Sequence, residues 1–387
     1  MKFKSMMLGA AAAAAAATTA QAADLPVAPE PVDYVRICDA YGSTFYYIPG
    51  TETCLKVGGR IRTQFVVNNV LEDGAWGTRD ADGYTWRTQA YAYLDARTAT
   101  QFGTLRAYSA LSQRAENGVL SVQLDKAYIQ WGGMTAGYAT SNFDIFTGQT
   151  FMGVVTRNWS DQTVNQLAYT AAFGNGFSAT LAVEDRSARE VGAYGGTRMP
   201  DFVAALAVSQ GWGSAQLSGA LHQVYPDTAS SYQTGITLDG AEDDLGFAVG
   251  GGVVFNLPMI TPGSNIFFQG FYADGALSYL GASGTVGGVT VSDFGSNGDT
   301  STGYSLSAGA YIQATSTIGL ALDGSFMDLD QAEGFDDFNR YAVDGSVVWQ
   351  PVSGLEIGAD VGYANTQADG EDDVDELLFG VRMQRTF

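Results

Sequence analysis

The sequence predicts an all-β protein, a 16-stranded antiparallel transmembrane β-barrel with one inward-folded constriction loop, behind a cleaved signal peptide. Three observations predict it. The chain is 46% hydrophobic with a mean hydropathy of −0.01, yet past its start it has no run of 18 apolar residues that could make a membrane helix. About sixteen segments alternate apolar and polar residues at the period of a β-strand. Tight turns and long polar loops separate those segments in the unequal manner of an outer-membrane barrel.

The elements follow in chain order. MKFKSMMLGAAAAAAAATTAQAAD has Lys2 and Lys4 ahead of a short apolar run, Met6 to Ala17, and then Ala20-Gln21-Ala22, a small-x-small cleavage site. Residues 1–22 therefore read as a signal peptide, cut after Ala22 or Ala23, because the apolar run is too short to span a bilayer. Losing Lys2 and Lys4 takes the net charge from −22 to −24. Residues 23–54 form an N-terminal extension, opening on the proline-rich DLPVAPEPVDY. It holds the only two cysteines, Cys38 and Cys54, and an even count in an exported chain predicts one disulfide. Closing that loop is worth roughly 3 kcal/mol in the chain-entropy picture. There is no CxxC and no Cys/His cluster, so metal and redox chemistry are unsupported.

The barrel occupies 55–387. In LKVGGRIRTQFVVNN, Val57, Gly59, Ile61, Phe65 and Val67 share one face while Lys56, Arg60, Arg62 and Gln64 share the other. TWRTQAYAYLDART sets Ala90, Ala92, Leu94 and Ala96 against Arg87, Gln89, Asp95 and Arg97, and LRAYSALSQR sets Leu105, Ala107 and Leu111 against Arg106, Ser112 and Arg114. The predicted strands run over 55–69, 83–98, 102–115, 120–132, 133–142, 163–173, 176–186, 200–209, 212–225, 244–257, 264–282, 302–314, 317–328, 337–350, 354–366 and 374–387. Phe173-Gly174-Asn175-Gly176-Phe177, Gln210-Gly211-Trp212-Gly213 and Pro351-Val352-Ser353-Gly354 are tight hairpin turns. Long connections fall at 70–82, 187–199, 226–243, 283–301 and 367–373. A soluble sandwich with this many long strands would leave edges to protect; a closed barrel has none and gives both faces a solvent. The last strand, ELLFGVRMQRTF, ends on Phe387, an aromatic placed for the interfacial girdle. Arg385 shares its outward parity and is expected at the interface or against a neighbouring subunit.

Charge is uneven. Nine of nineteen basic residues lie between Lys56 and Lys126, whereas the stretch between Arg198 and Arg340 has none and carries fifteen acids. Arg60, Arg62, Arg87, Arg97, Arg106 and Arg114 sit on the polar faces of three consecutive predicted strands, which would gather them into one basic patch on the lumen wall. FDIFTGQTFMGVVTRNWSDQ, residues 143–162, is an unpatterned insertion too rich in Phe143, Phe146, Phe151, Met152, Val154 and Val155 for a freely solvated loop. Folded into the lumen, it would narrow the pore and set Asp144 across water from the arginines, a field that favours polar permeants. The acidic loops at 241–244, 328–337 and 368–376 are expected to stay hydrated; the alternative is divalent-cation binding shared with lipopolysaccharide phosphates.

YVRICDAYGSTFYYIPGTETCLKVGGRIR (34–62), TAGYATSNFDIF (135–146) and the terminal VRMQRTF resemble the amino-terminal signature, the approach to the inward loop and the last strand of the alphaproteobacterial general porins. The resemblance implies a homotrimer in the outer membrane that passes small hydrophilic solutes and ions passively. It implies a constriction at the loop containing Asp144, opposite the basic wall, and a terminal Phe387 read by the barrel-assembly machinery. Asp144 and Asp161 are nearly the only acids in that loop, which also holds Arg157, fewer than the family pattern leads one to expect. No cofactor, no nucleic-acid partner and no catalysis is expected: the single histidine, His222, has no motif partners, and P-loop and zinc signatures are absent. A substrate-specific channel on the same barrel is the alternative. A structural or adhesion barrel would need an anchoring domain, for which no sequence remains.

Overall fold

A computed structural model describes residues 36–42, 44–71, 74–227 and 243–387. The signal-peptide reading, the proline-rich lead-in and Glu242 of the 241–244 loop lie outside the described residues. Sixteen long strands form one closed antiparallel sheet. They are β1 (Cys54–Val67), β2 (Tyr84–Thr100), β3 (Gly103–Glu116), β4 (Val119–Trp131), β5 (Met134–Thr140), β6 (Thr163–Gly174), β7 (Phe177–Glu184) and β8 (Asp201–Gln210). The second half is β9 (Gly213–Val224), β10 (Asp244–Asn256), β11 (Asn265–Asp274), β12 (Thr302–Gln313), β13 (Ile318–Asp330), β14 (Phe338–Val352), β15 (Leu355–Ala368) and β16 (Val374–Thr386). Each pairs with the next, and β16 closes on β1 from Phe379↔Val67 to Thr386↔Arg60. Closure leaves no edge.

The alternation puts apolar side chains outside and polar ones inside. Leu120 is 82% and Leu181 70% exposed on the outer face, whereas Gln89 and Asp323 are buried against the lumen. That inversion suits a wall with hydrocarbon outside and water inside. No helix among the described residues is long and apolar enough to cross a membrane.

Short turns gather at the end of the barrel that holds Cys54 and Phe387, the periplasmic end by the usual asymmetry. Long loops gather at the other. Asn117-Gly118 is an exception, a two-residue turn among the long loops, with positive φ at both residues (46° and 83°) as a type I′ hairpin needs. The predicted 264–282 strand stops at Asp274. Gly275 takes φ +59°, the chain turns inward, and Leu277–Leu280 form a buried 3₁₀ turn instead.

Cys38 and Cys54 are disulfide-bonded, and Phe45 packs in the small core beside them. The loop they close lies against β2, where the Arg97 guanidinium stands 4.9 Å from the Phe45 ring. At the other terminus Phe387 exchanges backbone hydrogen bonds with Gly59 (3.0 and 2.9 Å), and its ring covers Gly59 so closely that a Cβ there would lie 2.7 Å from it. Glycine in β1 and the terminal aromatic are two halves of one contact. Arg385 donates to the carbonyl of Ser353 in the neighbouring periplasmic turn.

Candidate functional site: the constricted lumen

Residues 141–162 leave β5, enter the barrel and return to β6. The inward fold expected of this segment is present, and its causes are specific. Its backbone N–H groups have no ladder to join, so they need acceptors on the wall. Asp323 on β13 accepts from the N–H of Gln149 (2.7 Å) and Thr150 (2.8 Å) and from the Arg157 guanidinium (2.9 Å). Asp360 on β15 accepts from Met152 (2.7 Å) and Gly153 (3.2 Å), and Asp344 on β14 from Val155 (3.2 Å). Ser346 takes Phe151 N–H at 3.1 Å, and Gln269 on β11 trades two hydrogen bonds with the Phe146 backbone. Asp323 and Asp344 stand directly opposite each other in the sheet. Like charges so placed repel; here the loop's donors and Arg157 offset the repulsion.

The loop's apolar side chains fill sockets left by glycine at lumen-facing positions. A Cβ on Gly252 would meet Ile145 at 2.8 Å, one on Gly358 would meet Phe151 at 2.6 Å, and one on Gly380 would meet Met152 at 2.6 Å. Nearer the loop-bearing end, Phe143 and Trp159 join Phe267, Leu277, Tyr279 and Leu280 in a dry core inside the barrel. Two further loops, 185–200 and 275–301, are tied in beneath it. Asp293 accepts from Leu277 N–H (2.6 Å), Val191 N–H (3.0 Å) and the Tyr194 hydroxyl (2.8 Å), and burial pushes its carboxyl pKa up. His222 lies fully buried between Asp201 (2.8 Å) and Tyr194 (3.0 Å). Tyr279 donates to the other Asp201 oxygen at 2.6 Å; its phenol pKa is raised, by burial first and then by the Asp201 charge.

The expected place of Asp144 is corrected. It does not face the arginines across water. It accepts from Gln162 N–H at 2.7 Å and from the Ser160 hydroxyl, and pairs with Arg189 at 3.1 Å with its side chain only 2% exposed. Asp144 therefore draws together the two ends of the loop, and Arg189, 45 residues on, neutralises it. Asp161 stays open to the lumen; desolvation at the loop's neck, then the Asp144 charge, raise its carboxyl pKa.

The basic wall is present but divided. Toward the periplasmic end Arg97 and Arg106 both bind Asp95, at 2.7 and 2.9 Å. Toward the other end Arg87 pairs with Glu116, with Arg114 at 4.0 Å from the same carboxylate. Of the six predicted arginines, only Arg60 and Arg62 have no carboxylate within ion-pair distance among the described residues. They lie on β1 beside Tyr91, with guanidiniums 4.2 and 5.2 Å from its ring centre. A third arginine belongs with them. Arg382 on β16 donates to Gln64 Oε1 at 3.0 and 2.8 Å and to the Phe151 carbonyl of the loop. The signal for it was its shared face with Gln384 on a strand that closure brings against β1.

Some acids of the acidic loops are engaged, Asp375 with Tyr363 (2.6 Å) and Asn365 (3.0 Å), Glu376 with Arg340 (2.6 Å) and Asp337 with Gln331 N–H (2.6 Å), while Glu333, Asp336, Glu371 and Asp372 are exposed. No group of three or more His, Cys, Asp or Glu among the described residues is arranged to hold a metal.

Comparison with known proteins matches this geometry. A family model described as the porin subfamily covers residues 24–379. Porin Omp2b of Brucella suis is 30% identical over 427 residues, covering all of both chains, and Porin Omp2b of Brucella abortus (strain 2308) is 29% identical over 414 residues with the same coverage. The outer membrane channel DcaP of Acinetobacter baumannii superposes with a TM-score of 0.69 at 14% identity, over 88% of this chain and 99% of its own. The anion-selective porin from Comamonas acidovorans superposes with a TM-score of 0.55 at 12% identity, over 87% of this chain and 100% of its own. At such identities these two show the fold alone.

Proposed function

The chain belongs to the porin subfamily, and from that premise we propose that solutes cross its barrel between the 141–162 loop and the wall of β1–β4. The protein is an outer-membrane porin, a water-filled channel through which small hydrophilic solutes and ions diffuse down their gradients. The observation that carries the proposed route is the one-sided seating of the loop. It is fastened to β9, β11 and β13–β16, so the polar side chains of β1–β4 keep the open water. The loop, with Asp161, and Arg60 and Arg62 opposite then define the narrowest passage. Arg87 with Arg114 and Arg97 with Arg106 line the approaches as two clusters, each of two guanidiniums on one carboxylate.

The protein works as a channel rather than an enzyme. His222 has a carboxylate partner in Asp201, but its other neighbour is a tyrosine hydroxyl, and the ring is sealed from solvent. Assembly as a homotrimer fits the family and the barrel. So does recognition of the Phe387 strand by the barrel-assembly machinery, with lipid and lipopolysaccharide around the outer face. In planar bilayers the purified protein should insert in groups of three equal current steps. In liposomes, sugars of increasing size should enter at rates that fall off sharply with diameter. Folded protein that leaves both membranes impermeable would overturn the reading.

A further inference from the structure

We propose that Arg60, Arg62 and Arg382 form a binding site for small oxyanions of charge −2, so that the channel retains such anions in transit instead of passing them indifferently. The proposal rests on the porin reading and deepens it. The three residues meet at the barrel's seam. Register pairs Arg382 with Gln64 and Gln384 with Arg62 across β16–β1, and Arg60 with Tyr91 across β1–β2. Each guanidinium is held by a neutral group: Arg62 donates to Gln89 Oε1 at 2.7 Å, Arg382 to Gln64 and a loop carbonyl, and Arg60 lies over Tyr91. Neutral acceptors fix direction without cancelling charge.

The contrast within one wall makes the case. Arg97 and Arg106 share Asp95, and Arg87 and Arg114 share Glu116, whereas the three central arginines have no carboxylate within ion-pair distance among the described residues. Asp125 on β4 acts on Arg62 only from further off and is itself held by the Ser112 hydroxyl at 2.8 Å. Asp360 acts on Arg382 in the same distant way, with one oxygen committed to Met152 and Gly153. The Nε donors of Arg60 and Arg62 have no partner, but neither does that of Arg114, so it is the missing carboxylate that sets the central arginines apart. Crowded like charges are relieved by one ligand: a compact oxyanion accepting from two or three guanidiniums. The site lies on the permeation path, so binding there reads out as current.

Sulfate is a suitable probe because it stays a dianion across neutral pH. In planar bilayers at fixed potassium chloride, added sulfate should lower the chloride current to a plateau at a half-saturating concentration. Replacing Arg60→Gln and Arg62→Gln together should raise that concentration about tenfold or more, as loss of charged hydrogen bonds requires. Arg62→Lys should restore part of the effect, and Arg385→Gln, which removes a charge outside the lumen, should leave it unchanged. A conducting channel whose current ignores sulfate, or whose block is the same after Arg60 and Arg62 are replaced, overturns the site. A folded protein without conductance overturns the porin reading instead. Calorimetric titration of sulfate into the detergent-solubilised protein then still decides the site: saturable binding abolished by the double replacement supports it, and no binding sinks it.

Discussion

The wall of β1–β4 and the wall of β13–β15 enclose the same water, and both carry charges at lumen-facing positions. On β1–β4 the guanidiniums pair sideways with carboxylates on the same wall or, at Arg60 and Arg62, are held by neutral groups. On β13–β15, apart from Arg340, which pairs with Glu376, the charges that meet the loop are carboxylates, and they meet backbone. Asp323, Asp344 and Asp360 are spent on a loop whose N–H groups would otherwise be unmatched. The acidic half of the chain therefore gives a docking strip for the loop rather than an acidic pore lining. Charge composition alone does not tell which side of a pore a permeant feels; the partner of each charge does.

This difference predicts unequal effects of substitution on the two walls. The largest is expected on the docking strip. Asp323→Ala with Asp360→Ala removes the acceptors of four backbone N–H groups, each charge-assisted bond being worth about 1.5–3 kcal/mol. The loop should come away from the wall, seen as a larger and noisier single-channel conductance with the barrel still folded. Next comes the neck of the loop. Arg189→Ala leaves the buried Asp144 carboxylate without its cation, a change that costs about 3–5 kcal/mol for buried pairs. It should lower the temperature at which the folded, faster-migrating band is lost in detergent electrophoresis. The smallest effect belongs to the open wall. Arg87 and Glu116 are 27% and 28% exposed, so Arg87→Gln should move stability by only about 0–1 kcal/mol. A melting shift as large as that of Arg189→Ala would erase the distinction between the walls.

The barrel was legible because lipid on one side and water on the other force alternation on every strand, as Val57 to Val67 shows from the start. The predicted strand over 264–282 is too long because apolar residues continue past Gly275; Asp274-Gly275 is a turn dipeptide, but the apolar residues after it mask the turn that sends Leu277 and Tyr279 into the lumen. The inward loop was legible from its aromatic content. The role of Asp144 was not, since Arg189 sits beyond two strands and register with it cannot be read locally. Two pairings were within reach: Asp95 and Arg97 share a face two residues apart, as do Arg114 and Glu116, so a carboxylate partner for those arginines was written in the alternation itself. Arg382 was in view on the last strand and was missed because its neighbour, β1, lies at the opposite end of the chain.

The central claim is that the 141–162 loop lies along the β13–β15 wall and leaves the other wall to permeants. It is tested most directly by fastening the loop where it is seen to lie. Phe151→Cys with Gly358→Cys joins a side chain to the socket that holds it, the two native cysteines being already bonded to each other. The account predicts that this pair oxidises in the folded protein and that single-channel conductance and reversal potential stay at wild-type values. Failure of the pair to oxidise in a correctly folded barrel, or oxidation that shuts the channel, would contradict it.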